Sequence, residues 1–274
     1  MKEAVFKRLM DVLKYKRADW EKIITDACKL RGYSDKTVKN YIFHVGRFLE
    51  SGKSVEDYLV WMVDNVYRDE SIRLAGFAIK FYLSCIGIDD YIEFPNVKRE
   101  KKLPVVLSKK EIESMIKTTH NIKFRLMIML GYGCGLRVSE IVSIKWSDVD
   151  FTRNVLHIKN AKGKKDRVVM LSPKIKKILR SIDDNNEYIL TTQRKTKYST
   201  RSVQEIVSKL ANLAGIRKKV SPHTLRHSFA THLLEQGIDI HYIKELLGHA
   251  SVSTTQIYTK VSARKILLIK SPLD

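Results

Sequence analysis

A small group of side chains in the second half of the sequence has the chemistry of a phosphodiester-cutting site. Tyr258 stands nine residues after His249, and the segment His223-Thr224-Leu225-Arg226-His227 precedes both. A guanidinium such as that of Arg137 or Arg226 offers a planar fork of donors that matches two phosphate oxygens. Two such cations can stabilise the charge on a phosphate under attack, a task that other enzymes give to Mg²⁺. These residue types predict phosphodiester cleavage without a cofactor.

Tyr258 is the candidate nucleophile of this site. A phenol with the reference pKa of ~10 is a poor nucleophile near neutral pH. We expect the surrounding cations to favour its phenolate and to hold it in line with phosphorus. Lys162, in a glycine-containing turn, is placed to reach DNA and to protonate a departing oxygen. Glu140 follows Arg137 by three residues, a spacing at which a carboxylate can brace a guanidinium.

Each of these residues also has a plain structural interpretation when it is taken singly. An isolated arginine is commonly a surface ion-pair residue, and an isolated tyrosine commonly lies half-buried on a helix. His223 and His227 have the i, i+4 spacing of a helical metal site. However, Thr224 stands where the zinc-protease pattern has glutamate, and Arg226 would repel a cation. No metal site is therefore predicted.

The overall charge points to a polyanionic partner. The 274 residues carry 51 Lys and Arg against 30 Asp and Glu, a formal net charge of +21. Most of the excess lies after residue 102, where 31 basic residues face 14 acidic ones. Neutralising phosphates releases counterions, so this excess favours nucleic acid. The plain alternative is a protein that is basic without such a partner.

Cysteine usage and hydropathy predict where the protein is found. Cys28, Cys85 and Cys134 form no CxxC pair, which argues against a disulfide framework and favours a reducing compartment. The longest apolar run, residues 126–136, is broken by glycines and too short to span a bilayer. No signal peptide is evident. We expect a cytoplasmic protein with no membrane partner.

Apolar periodicity predicts a helical N-terminal domain over residues 1–94. Helical spacing recurs at residues 6–13, after Ser34 up to Gly52, at residues 55–66 and at residues 71–85. Four short helices make a plausible small bundle.

Residues 95–104 are predicted to form a linker, because prolines flank a basic stretch that has no apolar periodicity. Its cations are candidates to lie against a DNA backbone, although an ordinary solvated loop would have the same composition. They are Lys98, Arg99, Lys101 and Lys102.

The remaining chain, residues 105–274, is predicted to be mostly helical with a small antiparallel sheet. Ser108 and Glu111 form a capping-box signature, and an apolar helix over residues 124–130 ends at the glycine-rich run that follows. Residues 155–158 and 167–171 are strand-like, and the hairpin tip between them carries Lys162, Lys164 and Lys165. A helix begins at Ser221-Pro222 and stops near Gly237. The predicted fold class is therefore mainly α (α+β).

Four ordered motifs resemble the tyrosine recombinase (phage-integrase-type) superfamily, and within it the Xer site-specific recombinases. They are Gly133-Cys134-Gly135-Leu136-Arg137-Val138-Ser139-Glu140-Ile141, the turn Ala161-Lys162-Gly163, His223-Thr224-Leu225-Arg226-His227-Ser228-Phe229-Ala230-Thr231-His232, and Leu247-Gly248-His249-Ala250-Ser251 running on to Tyr258. They span the second half of the chain in the order of the family. The resemblance implies that residues 1–94 are a core-binding (SAM-like) DNA-binding domain and residues 105–274 a catalytic domain.

The resemblance also implies a role for each matching residue. Tyr258 would form a 3′-phosphotyrosyl bond and release a 5′-hydroxyl, with Lys162 as general acid and His223 assisting proton transfer. The scissile phosphate would be bound by Arg137, Arg226 and His249. The partner would be double-stranded DNA with a specific core site, and a homo-tetramer would act on two paired sites through a Holliday junction. The free protein would be a monomer or dimer, and residues 263–274 would dock onto a neighbouring protomer.

Several biological roles are compatible with these motifs. The leading interpretation is a recombinase that resolves chromosome or plasmid dimers, with or without a second recombinase or a motor partner. The alternatives are an integrase of a mobile element and a non-catalytic DNA-binding relative. The latter predicts that a catalytic position has been lost, and none is. A metal-dependent nuclease would need a carboxylate cluster that the sequence lacks.

Overall fold

Two compact units make up the fold, Met1–Lys101 and Lys102–Asp274. In this computed structural model, the residues whose structure is described are 17–88, 103–159, 166–182, 186–249, 251, 254–255 and 258–259. The predicted helix at residues 6–13, the basic part of the expected linker and the expected docking tail at residues 263–274 lie outside them. In the described part of the chain, no helix is both long and apolar enough to cross a membrane.

The first unit contains four described helices: α1 (Arg17–Leu30), α2 (Asp35–Ser51), α3 (Val55–Asp64) and α4 (Asp69–Cys85). The hydroxyl of Ser34 caps α2 by accepting a hydrogen bond from the backbone N–H of Thr37, and Ser54 caps α3 in the same way. The bundle buries an apolar core that includes Ile24, Phe48, Tyr58, Ile79 and Tyr82.

Helix α1 was not predicted. Its buried side chains Trp20, Ile24 and Cys28 nevertheless stand at i, i+4 and i+8, so the helical signal was present in the sequence. The other three helices are confirmed, although α3 ends at Asp64, earlier than expected, and α4 begins at Asp69.

The second unit begins with α5 (Lys109–Lys117), whose predicted capping box is confirmed. It continues through α6 (Ile122–Gly133), the short helix α7 (Val138–Ile141), a three-residue 3₁₀ turn, and the strands β1 (Val149–Asp150), β2 (Val155–Ile158) and β3 (Arg167–Met170). The helices that follow are α8 (Pro173–Arg180), α9 (Thr200–Leu213), α10 (Pro222–Glu235) and α11 (Ile240–Leu247).

Helix α6 forms the centre of the core in this unit. Its residues Leu126, Met127, Ile128 and Leu130 are almost completely buried, as expected for a helix that is apolar on all sides. The prediction that this helix ends at Leu130 is wrong, because it continues to Gly133. Gly131 and Gly133 do not break the helix, because they permit close packing.

The packing at these glycines is tight. A Cβ at Gly131 would lie 3.1 Å from the Leu225 side chain on α10, and one at Gly133 would lie 3.0 Å from Ile175 on α8. The helix stops only when Gly135 enters the left-handed region at φ 63°. The N–H of Leu136 then donates to the Leu130 carbonyl at 3.3 Å.

The three strands form an antiparallel sheet in the order β1-β2-β3, in which Leu156 pairs with Val169 and Ile158 pairs with Arg167. The two predicted strands are confirmed, and β1 was not predicted. The tip of the hairpin, with Lys162, Lys164 and Lys165, falls in residues 160–165, outside the described residues. The helical fold with a small antiparallel sheet is confirmed.

Candidate active site

Arg137 and Glu140 are joined by the local geometry of α7. Arg137 is the N-cap of this helix, and its backbone N–H donates to Glu140 Oε2 at 2.8 Å. Its guanidinium donates to Glu140 Oε1 at 2.8 Å and to the Gly248 carbonyl at 2.8 Å. The carboxylate three residues away therefore contacts Arg137 as the spacing predicted. One contact is local, and the other fastens α7 to the end of α11.

Arg226 lies on α10 and is only 3% exposed. Its guanidinium donates to the carbonyl of Gly135 at 2.6 Å and to the carbonyl of Leu247, and it lies 4.0 Å from Glu140. Burial and the charge of Arg137 lower the pKa of Arg226 to about 9, so it stays protonated at neutral pH. The Gly135 carbonyl follows the C-terminus of α6, and the Leu247 and Gly248 carbonyls lie at the C-terminus of α11. The helix dipole favours cations at such C-termini.

His249 follows Gly248, which ends α11 in the left-handed region at φ 61°. The His249 Nδ1 lies 3.0 Å from the hydroxyl oxygen of Thr255, a buried residue. Burial, followed by the charges of Arg226 and Arg137, lowers the pKa of His249 to about 4. The ring is therefore neutral at neutral pH in the absence of an anion.

Tyr258 is 2% exposed, and its phenolic oxygen lies 3.0 Å from His227 Nδ1. Its ring stands nearly parallel to that of His249, at 18°, with the centroids 6.4 Å apart. Arg226 and Arg137 lower the pKa of Tyr258, but burial outweighs them and the pKa is raised above the ordinary value. The two arginines therefore favour the phenolate, as expected, but desolvation outweighs them and the phenol is protonated in this state.

His223 lies in the first turn of α10, one turn before His227, and the two rings are 6.5 Å apart. Partial desolvation, followed by Arg226 and Arg137, lowers the pKa of His223. His223 is therefore grouped with both arginines. Within the described residues, no group of three or more His, Cys, Asp or Glu is arranged to hold a metal ion.

The structure thus brings together most of the residues that the sequence selected for the cleavage site itself. They are Arg137, Glu140, His223, Arg226, His249 and Tyr258. Lys162 lies outside the described residues, as do the candidate DNA-binding residues Lys98, Arg99, Lys101, Lys102, Lys164 and Lys165.

Two contacts of this site were missed by reasoning from the sequence. His227 was considered only as a metal ligand, although its position one turn after His223 put it on the same helix face. Arg167 was assigned only to a strand, yet its guanidinium binds the Glu140 carboxylate through two hydrogen bonds of 2.8 and 2.7 Å. The sequence did contain a signal for this contact. Arg167 stands two positions before the core residue Val169 and so lies on the same, buried face of the strand.

Comparison with known proteins places the chain in a family. The sequence pattern of the phage integrase family matches residues 105–265, more than half of the chain. The chain belongs to the phage integrase family. Tyrosine recombinase XerA of Thermococcus kodakarensis (strain ATCC BAA-918 / JCM 12380 / KOD1) is 40% identical over 253 residues, which cover 86% of this chain and 89% of that protein.

Two solved recombinase structures are similar to this fold. The structure of XerA recombinase has 29% identity and a TM-score of 0.55, covering 93% of this chain and all of that one. XerH recombinase bound to a palindromic difH substrate in a post-cleavage complex has 21% identity and a TM-score of 0.73, covering 92% of this chain and 83% of that one. The resemblance to Xer-type tyrosine recombinases is confirmed.

Proposed function

We propose that this Xer-type tyrosine recombinase cuts and rejoins double-stranded DNA at a specific core site through a covalent bond from Tyr258 to a 3′ phosphate. The observation that carries the proposal is the grouping of a buried guanidinium, that of Arg226, a partly buried one, that of Arg137, and the ring of His249 around one tyrosine. A phosphate seated among these groups would face a phenol that is otherwise too weakly acidic to attack it.

In the first step, the oxygen of Tyr258 attacks phosphorus, the phenol loses its proton, and the bond from phosphorus to the 5′ oxygen breaks. His227 Nδ1 lies 3.0 Å from the phenolic oxygen and is placed to take up that proton. Burial, followed by His223 and Arg226, lowers the pKa of His227 to about 4, so its neutral ring has a lone pair available for the proton. Lys162 supplies the proton that the leaving 5′ oxygen takes up.

Arg137, Arg226 and His249 stabilise the additional negative charge on the phosphate oxygens during attack, with His223 assisting proton transfer. The phosphotyrosyl ester keeps the energy of the broken phosphodiester. An incoming 5′-hydroxyl therefore reverses the step and joins the strands without ATP.

A nicked suicide substrate tests this chemistry. The bound sequence is first recovered by mapping where the protein cross-links in its own genome, and a nick beside the cleavage position then lets a short fragment diffuse away. We expect a denaturant-stable protein–DNA adduct from the wild-type protein and none from Tyr258→Phe. The proposal fails if no adduct forms, or if one forms in Tyr258→Phe.

Lys162 has a separate test. Substituting sulfur for the 5′ bridging oxygen gives a leaving group that needs no protonation. Lys162→Ala is expected to cleave the ordinary substrate slowly and the sulfur-containing substrate at close to the wild-type rate. A variant that stays slow on both substrates would remove Lys162 from the role of general acid.

The proposed biological role is the resolution of chromosome or plasmid dimers by a homo-tetramer on two paired sites, through a Holliday junction. Its support is the similarity to the XerA relative over most of both chains. A plasmid with two directly repeated core sites is expected to yield two circles and a four-way intermediate. Core sites that flank a mobile element, instead of a single chromosomal site, would favour the role of an element's integrase.

A further inference from the structure

Arg167 is a buried cation in the sheet of the second unit. It opens β3, and its side chain is 6% exposed. Residues i and i+2 of a strand share a face, so Arg167 lies on the same side of the sheet as the core residue Val169. A charge in such a position is costly unless it is paired and hydrogen-bonded.

The guanidinium of Arg167 is turned toward Glu140. Its Nη1 donates to Oε1 at 2.8 Å and its Nη2 donates to Oε2 at 2.7 Å, which is the bidentate arrangement that an ammonium cannot reproduce. The same two oxygens accept from the side chain and the backbone of Arg137. Glu140 is thus held by β3 on one side and by its own helix on the other.

Arg167 also contacts the chain just before His249. Its Nε donates to the Leu246 carbonyl at 2.7 Å. Gly248 packs against its side chain, where an added Cβ would lie 3.1 Å from Arg167 Cδ. The Gly248 carbonyl in turn accepts from Arg137. One guanidinium therefore touches both the carboxylate that braces Arg137 and the helix end from which His249 follows.

We propose that Arg167 is a positioning residue of the phosphate site, which sets Arg137 through Glu140 and sets His249 through the end of α11. It acts through these groups and not on the phosphate. The inference rests on the proposed function, because it assumes that Arg137 and His249 bind the scissile phosphate.

The Glu140 carboxyl provides a signature of this arrangement. Burial alone would raise its pKa, but the hydrogen bond and charge of Arg167, followed by those of Arg137, lower it to about 2. Loss of Arg167 should raise that pKa. We therefore expect the acid limb of the cleavage rate, measured where the variant is still folded, to move toward neutral pH.

The test measures single-turnover cleavage of the nicked substrate for Arg167→Ala and Arg167→Lys. Arg201→Ala is the matched control, since Arg201 is an exposed arginine whose ion pair with Glu205 is within α9. A misplacement of about 1 Å can cost about 100-fold in rate. We therefore expect Arg167→Ala to lose about 100-fold at saturating DNA, with the half-saturating DNA concentration changed by less than about threefold.

Guanidinium ion added to Arg167→Ala is expected to restore cleavage at least about tenfold, and ammonium is not. Arg167→Lys keeps the positive charge but lacks the planar guanidinium, and it is expected to cleave as slowly as Arg167→Ala. If the alanine variant does not fold, the lysine variant tests the inference. Arg201→Ala is expected to match the wild type.

Two results would overturn the inference: a folded Arg167 variant that cleaves at the wild-type rate, or one whose only defect is weaker DNA binding. The wild-type protein and Tyr258→Phe are run in parallel. If the wild type gives no Tyr258-dependent adduct, the proposed function itself has failed. If it does, a wild-type rate in the Arg167 variants refutes the role of Arg167 alone.

Discussion

Replacing Gly135 with alanine is expected to destabilise the second unit and to slow DNA cleavage. Gly135 has φ 63°, and a Cβ there would lie 2.5 Å from Phe229 Cδ1 and 3.2 Å from Leu247 Cδ2. Phe229 is buried on α10, three residues after Arg226, in a cluster with Tyr258. The Gly135 carbonyl also accepts from Arg226 at 2.6 Å. The added methyl group would therefore press on the element that carries the buried arginine.

The expected loss of stability has two parts. The left-handed conformation costs a residue with a side chain about 1–2 kcal/mol. Overpacking a buried position typically costs about 1–3 kcal/mol more. The sum is a decrease of about 2–5 kcal/mol in the free energy of unfolding.

Gly215→Ala is the matched control. Gly215 belongs to the same unit and has a similar φ of 73°, but a Cβ there would meet no atom within 4 Å. It should lose only the conformational part, about 1–2 kcal/mol. The two variants should then differ by about 1–3 kcal/mol, or roughly 2–12 °C in the unfolding temperature of this unit.

Calorimetric unfolding measures the loss of stability. Single-turnover cleavage, at a temperature where both variants are folded, measures the loss of activity. The Gly135→Ala protein should cleave about 100-fold more slowly than the wild type, because a shift of about 1 Å in a phosphate-binding group has that scale of effect. Gly215→Ala should cleave at the wild-type rate. Equal unfolding temperatures for the two variants would refute the packing argument, and wild-type cleavage by folded Gly135→Ala would refute the link to Arg226.

Two further predictions concern the histidines. The hydrogen bond between His227 and Tyr258 is expected to give a coupling energy of about 1 kcal/mol in a double-mutant cycle of unfolding with His227→Phe and Tyr258→Phe; strictly additive losses would contradict that contact. Binding a phosphate should raise the pKa of His249 from about 4. At pH values between the pKa of His249 in the free protein and its pKa in the DNA complex, the complex therefore holds more protons than the free protein. Affinity should therefore rise as pH falls through this window, and calorimetric titration at pH ~6 in two buffers of different ionisation enthalpy should detect proton uptake. His249→Gln should take up fewer protons, and equal uptake would rule out His249 as their acceptor.

Helix boundaries followed from the sequence where the signal was local. The caps at Ser34 and Ser108, and the proline that opens α10, depend only on neighbouring residues, and the structure has helices beginning at each. The same is true of the contact between Arg137 and Glu140, three residues apart. The four motifs and their order also predict the residues of the candidate site without any knowledge of the fold.

The arrangement within the site depended on contacts between distant parts of the chain. Arg226 is held by a carbonyl 91 residues away, and Glu140 is bound by Arg167 from 27 residues away. No periodicity encodes such pairs, because they exist only when α7, β3, α10 and the end of α11 meet. For the same reason, the continuation of α6 through Gly131 could not be expected from propensity, since the gain comes from close packing against Leu225.

The ionisation of Tyr258 shows most clearly which properties follow from the sequence and which depend on the tertiary structure. The sequence by itself determined that a tyrosine stands among cations, which favour its phenolate. Only the tertiary structure decided how far that tyrosine is buried and that His227 faces its hydroxyl. Desolvation of the phenolate then outweighs the attraction of two arginines. Charge can be counted along a chain, whereas the exclusion of water is a property of the packed molecule.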